Sequence, residues 1–152
     1  MPKELKKDIF MEAMGAHWGL PDCSEESFLN LARAELEEYL RAEVITIKDF
    51  DEEGVVYGHP EWIELDIMER DGILIAFGLN SYASKTEMYD FEWRVLFYEK
   101  RHKKQIDKMI AISPLLNVKA NAVAEKVGIT ICKYPEDVKE ILESGTALDR
   151  RL

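Results

Sequence analysis

Glu61-Trp62-Ile63-Glu64-Leu65-Asp66-Ile67-Met68-Glu69-Arg70-Asp71-Gly72-Ile73-Leu74-Ile75-Ala76-Phe77-Gly78-Leu79-Asn80-Ser81 is the stretch on which the fold turns. Ile63, Leu65 and Ile67 alternate with Glu64, Asp66 and Met68, the period of two that marks a half-buried strand. Asp71-Gly72 is a hairpin turn signal, since glycine readily takes the positive φ such a turn needs. In the second half, Ile73, Ile75, Phe77 and Leu79 are large and apolar, while Ala76, Gly78 and Asn80 are small or polar. Two registers compete. A three-residue loop, Arg70-Asp71-Gly72, sets Glu69 opposite Ile73, Asp66 opposite Ala76 and Glu64 opposite Gly78. All the large odd-numbered residues then share one face, and Glu64, Asp66, Gly78 and Asn80 share the other. A two-residue loop sets Asp66 opposite Phe77 and mixes the faces. The hydrophobic pattern favours the three-residue loop.

Upstream, residues 3–18 read as a helix with Leu5, Ile9 and Met14 on one face. Gly19-Leu20-Pro21-Asp22 breaks it. A stronger helix runs from about Glu25 to Arg41, with Ser24 or Asp22 to cap it and Phe28, Leu31, Ala32, Leu36, Tyr39 and Leu40 as its apolar stripe. Val44-Ile45-Thr46-Ile47 is a short strand, and Asp49 to His59 a loop or hairpin end. Downstream, Ser84-Lys85-Thr86-Glu87 has capping-box spacing and opens a helix to about His102, with Met88, Phe91, Val95 and Tyr98 as its inward stripe. Met109 to Ile112 is a buried-type strand, Val118 to Lys126 a helix closed at Gly128, Ile129 to Cys132 a last strand, and Pro135 opens a final helix. A run of three antiparallel strands followed by a helical crossover and further strands is a mixed sheet with helices on its faces, an α/β class.

The 152 residues suit one domain with a sizeable core: a helical extension at 1–24, a core at 25–135, and a C-terminal helix and tail at 136–152. Apolar residues make up 47%, charged ones 33%, which places the chain among globular proteins. No apolar run has the length of a membrane span, and Met1 to Lys7 lacks the apolar stretch of a signal peptide. Cys23 and Cys132 form neither a disulfide framework nor a metal spacing, so a reducing cytoplasm is expected. His17, His59 and His102 have no zinc spacing. The net charge of −10 argues against strong nonspecific DNA binding, since phosphate contacts want a basic face. The one basic run, Lys100-Arg101-His102-Lys103-Lys104, falls at a helix C-terminus, where the dipole attracts cations without any ligand.

Gly58-His59-Pro60, Glu64-Leu65-Asp66, Asp71-Gly72, Ser84-Lys85, Phe97-Tyr98-Glu99, Ile112-Ser113-Pro114 and Ala124-Glu125-Lys126-Val127-Gly128-Ile129 follow one another in a telling order. In that order and spacing, over about residues 26–135, the chain resembles small members of the PD-(D/E)XK nuclease superfamily, with the restriction-endonuclease-like fold. The resemblance implies an αβββαβ core, a divalent metal such as Mg²⁺, and phosphodiester hydrolysis of DNA. It also implies Asp66 as a metal ligand. The family's Glu-x-Lys falls on Gly78 and Asn80, so a carboxylate and a lysine are absent.

Metal-assisted hydrolysis needs oxygen ligands and a stabiliser of phosphate charge. Asp66 is the best remaining ligand, and Glu64, two residues away, a second. By themselves the two also read as the solvated face of a strand. Asn80 stands at the lysine position and donates hydrogen bonds without positive charge. Lys85, Glu87 and Asp90 follow closely and are the residues to which catalytic and metal roles would migrate; Glu87 reads first as a capping glutamate and Lys85 first as a solvated surface residue. Trp93 and Phe97 read as core or dimer contact rather than a base-stacking platform. The leading expectation is a nuclease-like protein with a degenerate site, acting as a binding or structural module. Its rival is an active Mg²⁺-dependent endonuclease using Asp66, Glu64, Glu87 and Lys85. Expected partners are nucleic acid, weakly held, or a second copy meeting at the Trp93 helix, and no membrane.

Overall fold

The computed structural model describes residues 25–148. The expected helix at 3–18, the break at 19–22, Cys23 and His17 lie outside them. Five strands form one mixed sheet, in the order β1 (Ile45–Asp51), β2 (Glu61–Arg70), β3 (Ile73–Leu79), β5 (Lys108–Ile112) and β7 (Ile129–Cys132). β1, β2 and β3 are antiparallel neighbours; β3, β5 and β7 run parallel. Two short pieces, β4 (Tyr82–Ala83) and β6 (Leu115–Leu116), pair in parallel beyond the ends of β3 and β5. No local signal in the sequence announced them. The architecture is α/β and consistent with a restriction-endonuclease-like fold.

Helices cover both faces. On one lie α1 (Glu25–Leu40) and α4 (Pro135–Ser144). Phe28, Ala32, Leu36 and Leu40 recur every four residues along α1 and pack with Met68, Ile75, Phe77, Leu79, Ile110 and Val138. On the other lie α2 (Lys85–His102) and α3 (Val118–Val127). There Met88, Phe91, Val95 and Tyr98 pack against Leu65, Ile67, Ala76 and Ala111, as the inward stripe of α2 predicts. Ser84 caps α2, its Oγ accepting from Glu87 N at 3.2 Å, and Lys103 ends the helix in the left-handed region at φ 53°. After Lys108, β5 is apolar from Met109 to Ile112 because both of its faces are buried.

Three expectations are corrected. β1 does not stop near Ile47; it continues to Asp51, which pairs with Glu61. The hairpin loop has two residues, not three: Asp71 and Gly72 both take positive φ, at 54° and 77°. That is the turn whose twist matches the flanking strands. The pairing follows, with Arg70 opposite Ile73, Met68 opposite Ile75 and Asp66 opposite Phe77. The odd-even split of sizes does not mark inside from outside, because both faces are inside. Glu64, Asp66, Gly78 and Asn80 therefore do not gather on one solvated face.

Cys132 sits at the end of β7, and burial, helped by the nearby Asp137 carboxylate, pushes its thiol up to about 12. Only the thiolate is a nucleophile. In a Cys23→Ser background, an alkylating thiol reagent at about pH 8 should modify Cys132 only as fast as the protein unfolds. Mass spectrometry with and without denaturant reads this out; full modification of the native protein within minutes counts against the buried placement.

Candidate functional site

Asp66 lies on the α1 face of β2. Its Oδ1 accepts from Arg33 Nε on α1 at 2.9 Å and from Thr46 Oγ1 on β1 at 2.6 Å. The aspartate side chain is 10% exposed and the arginine 22%, so the pair is largely out of water. Arg33 is held in turn by Asn30 Oδ1 at 3.2 Å. Removing one partner of a buried ion pair typically costs about 3–5 kcal/mol, because a charge is left uncompensated. The interaction thus has a structural rationale without any metal. A divalent ion at this carboxylate would have to displace the guanidinium or sit beside it. Glu64, on the same side of the strand, is half exposed and stands 3.7 Å from Lys48, an ion pair of the surface type that contributes little.

Gly78 faces the other way. A Cβ built there would lie 2.9 Å from Cδ2 of Phe91, whose ring is fully buried under α2. The position that would carry the second carboxylate is thus a seat for an aromatic ring. Asn80, just past β3, donates its backbone N–H to Ile112 O at 3.1 Å, and its Nδ2 is buried with no partner. Arg94, one turn beyond Phe91, lies over that ring at 5.6 Å and donates Nη1 to the Glu64 carbonyl at 3.0 Å.

Lys85 is exposed at the first position of α2. Glu87 is half-buried, and burial raises its pKa; Asp90 and Glu25 push the same way, and Arg94 opposes them. Ser81 Oγ donates to Glu25 Oε2 at 3.4 Å, bringing the start of α1 to the end of β3. The corner where β3 ends is therefore lined by carboxylates. The structure thus divides the expected ligands. Asp66 and Glu64 are on the α1 side, and Glu87 is on the helix covering the opposite face. Among the described residues no three His, Cys, Asp or Glu side chains gather as a metal-ligand set. The donor set does not fit a shared Mg²⁺.

Residues 61–130 match the PD-(D/E)XK nuclease superfamily. That span runs from the first residue of β2 into β7 and contains the hairpin, α2 and α3. Over residues 61–130 the chain is therefore similar to the PD-(D/E)XK nuclease superfamily. Residues 3–60 match a family described as a protein of unknown function, DUF3782. No curated protein and no solved structure matches the chain. PD-(D/E)XK nucleases generally use divalent metals, and the superfamily suggests interaction with nucleic acid. No helix among the described residues is long and apolar enough to cross a membrane.

Arg33, Thr46 and Arg94 did not stand out in the sequence. Arg33 adjoins the buried Ala32 on α1, but its partner is 33 residues away. Gly78 did leave a signal, since glycine within a strand often marks the close approach of another group.

Two outcomes follow from this geometry. Gly78→Ala should destabilise the protein by about 1–2 kcal/mol in urea titration, overpacking against Phe91 outweighing the entropy gained over glycine. The same change in a Phe91→Leu background should cost less, and equal costs in both backgrounds would show that the ring is not the obstacle. Glu87→Gln bears on pH. A glutamate whose folded pKa is raised lends stability below its ordinary value of 4.5, and that stability is lost as pH rises through the folded value. The variant should therefore be the more stable protein at neutral pH, with the difference closing as pH falls below about 4. Thermal unfolding across that range checks the sign.

Proposed function

We propose that this chain is a PD-(D/E)XK fold whose phosphodiesterase centre is degenerate and which serves as a binding or structural module. The observation that carries the reading is the contact between Gly78 and Phe91. Where the family resemblance calls for a metal ligand, a buried ring takes the space. Three further points support it. Asp66 is engaged by a cation and a hydroxyl. Asn80 brings no charge to a developing phosphorane. Glu25, Glu87 and Asp90 set negative charge where a phosphate would approach. Nucleic acid is then at most a weak ligand, consistent with the net charge of −10.

Removing one electrostatic stabiliser of a transition state typically costs about 10²- to 10³-fold in rate. Two such losses reach about 10⁴-fold or more if independent, though residues acting as a unit are rarely additive. With Mg²⁺ or Mn²⁺, the purified protein should nick plasmid or linear DNA no faster than its Asp66→Ala variant. Robust cleavage that Asp66→Ala abolishes would overturn the proposal in favour of an active endonuclease. Glu87→Ala and Lys85→Ala would then locate its relocated groups.

A further inference from the structure

The outer side of α2 repeats an apolar stripe that nothing among the described residues covers. Trp93 is 45% exposed and Leu96 is 40% exposed, with Phe97 half-buried beside them. With Val55 from the β1–β2 loop they floor a groove of about 610 Å³. A helix apolar on both sides is usually buried on both. The walls of the groove are of opposite sign. Glu52 and Glu53 stand on the loop side, Lys100 and Arg101 on the helix side. The walls are also fixed in place. Arg101 Nη2 donates to Phe50 O at 2.6 Å, His102 Nε2 lies 2.7 Å from Asp49 Oδ2, and Asp51 Oδ2 accepts from Val56 N at 2.9 Å. A groove fixed beforehand loses little ordering entropy when it is filled.

We propose that this groove is where two copies of the chain pair, α2 against α2, about a two-fold axis near Leu96. In an isologous contact the same patch serves both partners, each residue i meeting j while j meets i. Two acids and two bases flanking an apolar floor meet that demand. The Glu52–Glu53 wall of one copy meets the Lys100–Arg101 wall of the other, twice over. A polyanion such as a nucleic-acid backbone would face Glu52 and Glu53, and a basic partner would face Lys100 and Arg101; only a ligand with the same mixed pattern satisfies both walls. The apolar floor is small beside the roughly 800 Å² per partner of a standard interface. The pair is accordingly weak, forming at micromolar concentration and separating on dilution. The inference is independent of whether the hydrolytic site works.

Sedimentation velocity over a dilution series of the full chain tests it. The wild type should show a reversible monomer–dimer equilibrium. Leu96→Asp, a change at an exposed position whose fold circular dichroism can confirm, should weaken it by at least about tenfold. Glu52→Lys/Glu53→Lys should weaken it, as should Lys100→Glu made with Arg101 left in place to hold Phe50. An equimolar mixture of these two charge variants should pair more tightly than either alone, because one wall contact is then fully complementary and the other, with Arg101 retained, is balanced rather than repulsive. A wild type that stays monomeric at every concentration would overturn the proposal. So would a dimer indifferent to Leu96→Asp, or a mixture no tighter than its components.

Discussion

The two-residue turn at Asp71 and Gly72 fixes more of this protein than its size suggests. With both residues at positive φ, β2 and β3 can pair in one register only, and a side-chain period of two passes that choice to every position along both strands. Asp66 goes opposite Phe77 and toward α1. Leu65 and Ile67 go toward α2. Gly78, on the α2 side, becomes the floor on which Phe91 rests. A slip of one residue would turn one strand over relative to the other, putting either the Asp66 carboxylate or the Phe77 ring on the side of Met88, Phe91 and Val95 and parting Asp66 from Arg33 or Phe77 from the core it shares with Phe28 and Leu36. The cost of burying an unpaired charge opposes the one outcome, and overpacking of a closely filled α2 side opposes the other.

What could be read from the sequence follows from how local each signal is. The bounds of α2 depend on Ser84 at its start and a basic last turn, all within one helix, and they were legible. The strands at 108–112 and 129–132 are short apolar runs between turn residues, and they too were legible. The hairpin register was not, for a specific reason. Alternation of large and small residues was read as core against solvent, which holds for a sheet with one wet face. Here helices cover both faces, so Ala76 and Gly78 are small because α2 comes close, not because water does. The partners of Asp66 were hidden for a related reason: Arg33 and Thr46 approach from elements 33 and 20 residues away. Spacing along a strand shows which residues share a face; it does not show what arrives over them.

The same geometry bears on the hydrolytic reading. Asp66 and Glu64 carry charge but stand across the sheet from α2, where Glu87 lies. Each is paired with a cation, Arg33 for one and Lys48 for the other. A metal site needs carboxylates to converge with their charges uncompensated until the ion arrives. These carboxylates diverge and are already compensated. On the proposed reading, the resemblance to a nuclease survives in the parts that build a sheet and is weakest in the parts that would use it.

Restoring the missing pair by Gly78→Glu with Asn80→Lys would not by itself rebuild such a site. A glutamate at 78 has first to displace a ring that is fully buried among Met88, Val95 and Leu65, and the packing lost there is a stability cost of several kcal/mol. Its carboxylate would still emerge on the α2 side, with Asp66 facing α1 through the sheet. The register keeps the two apart, and that register is held by the turn, by the apolar pairs along β2 and β3, and by the Arg33–Asp66 contact together. Chemistry at this hairpin and packing at this hairpin are thus one constraint: a carboxylate at 78 belongs to a sheet on which α2 sits further out.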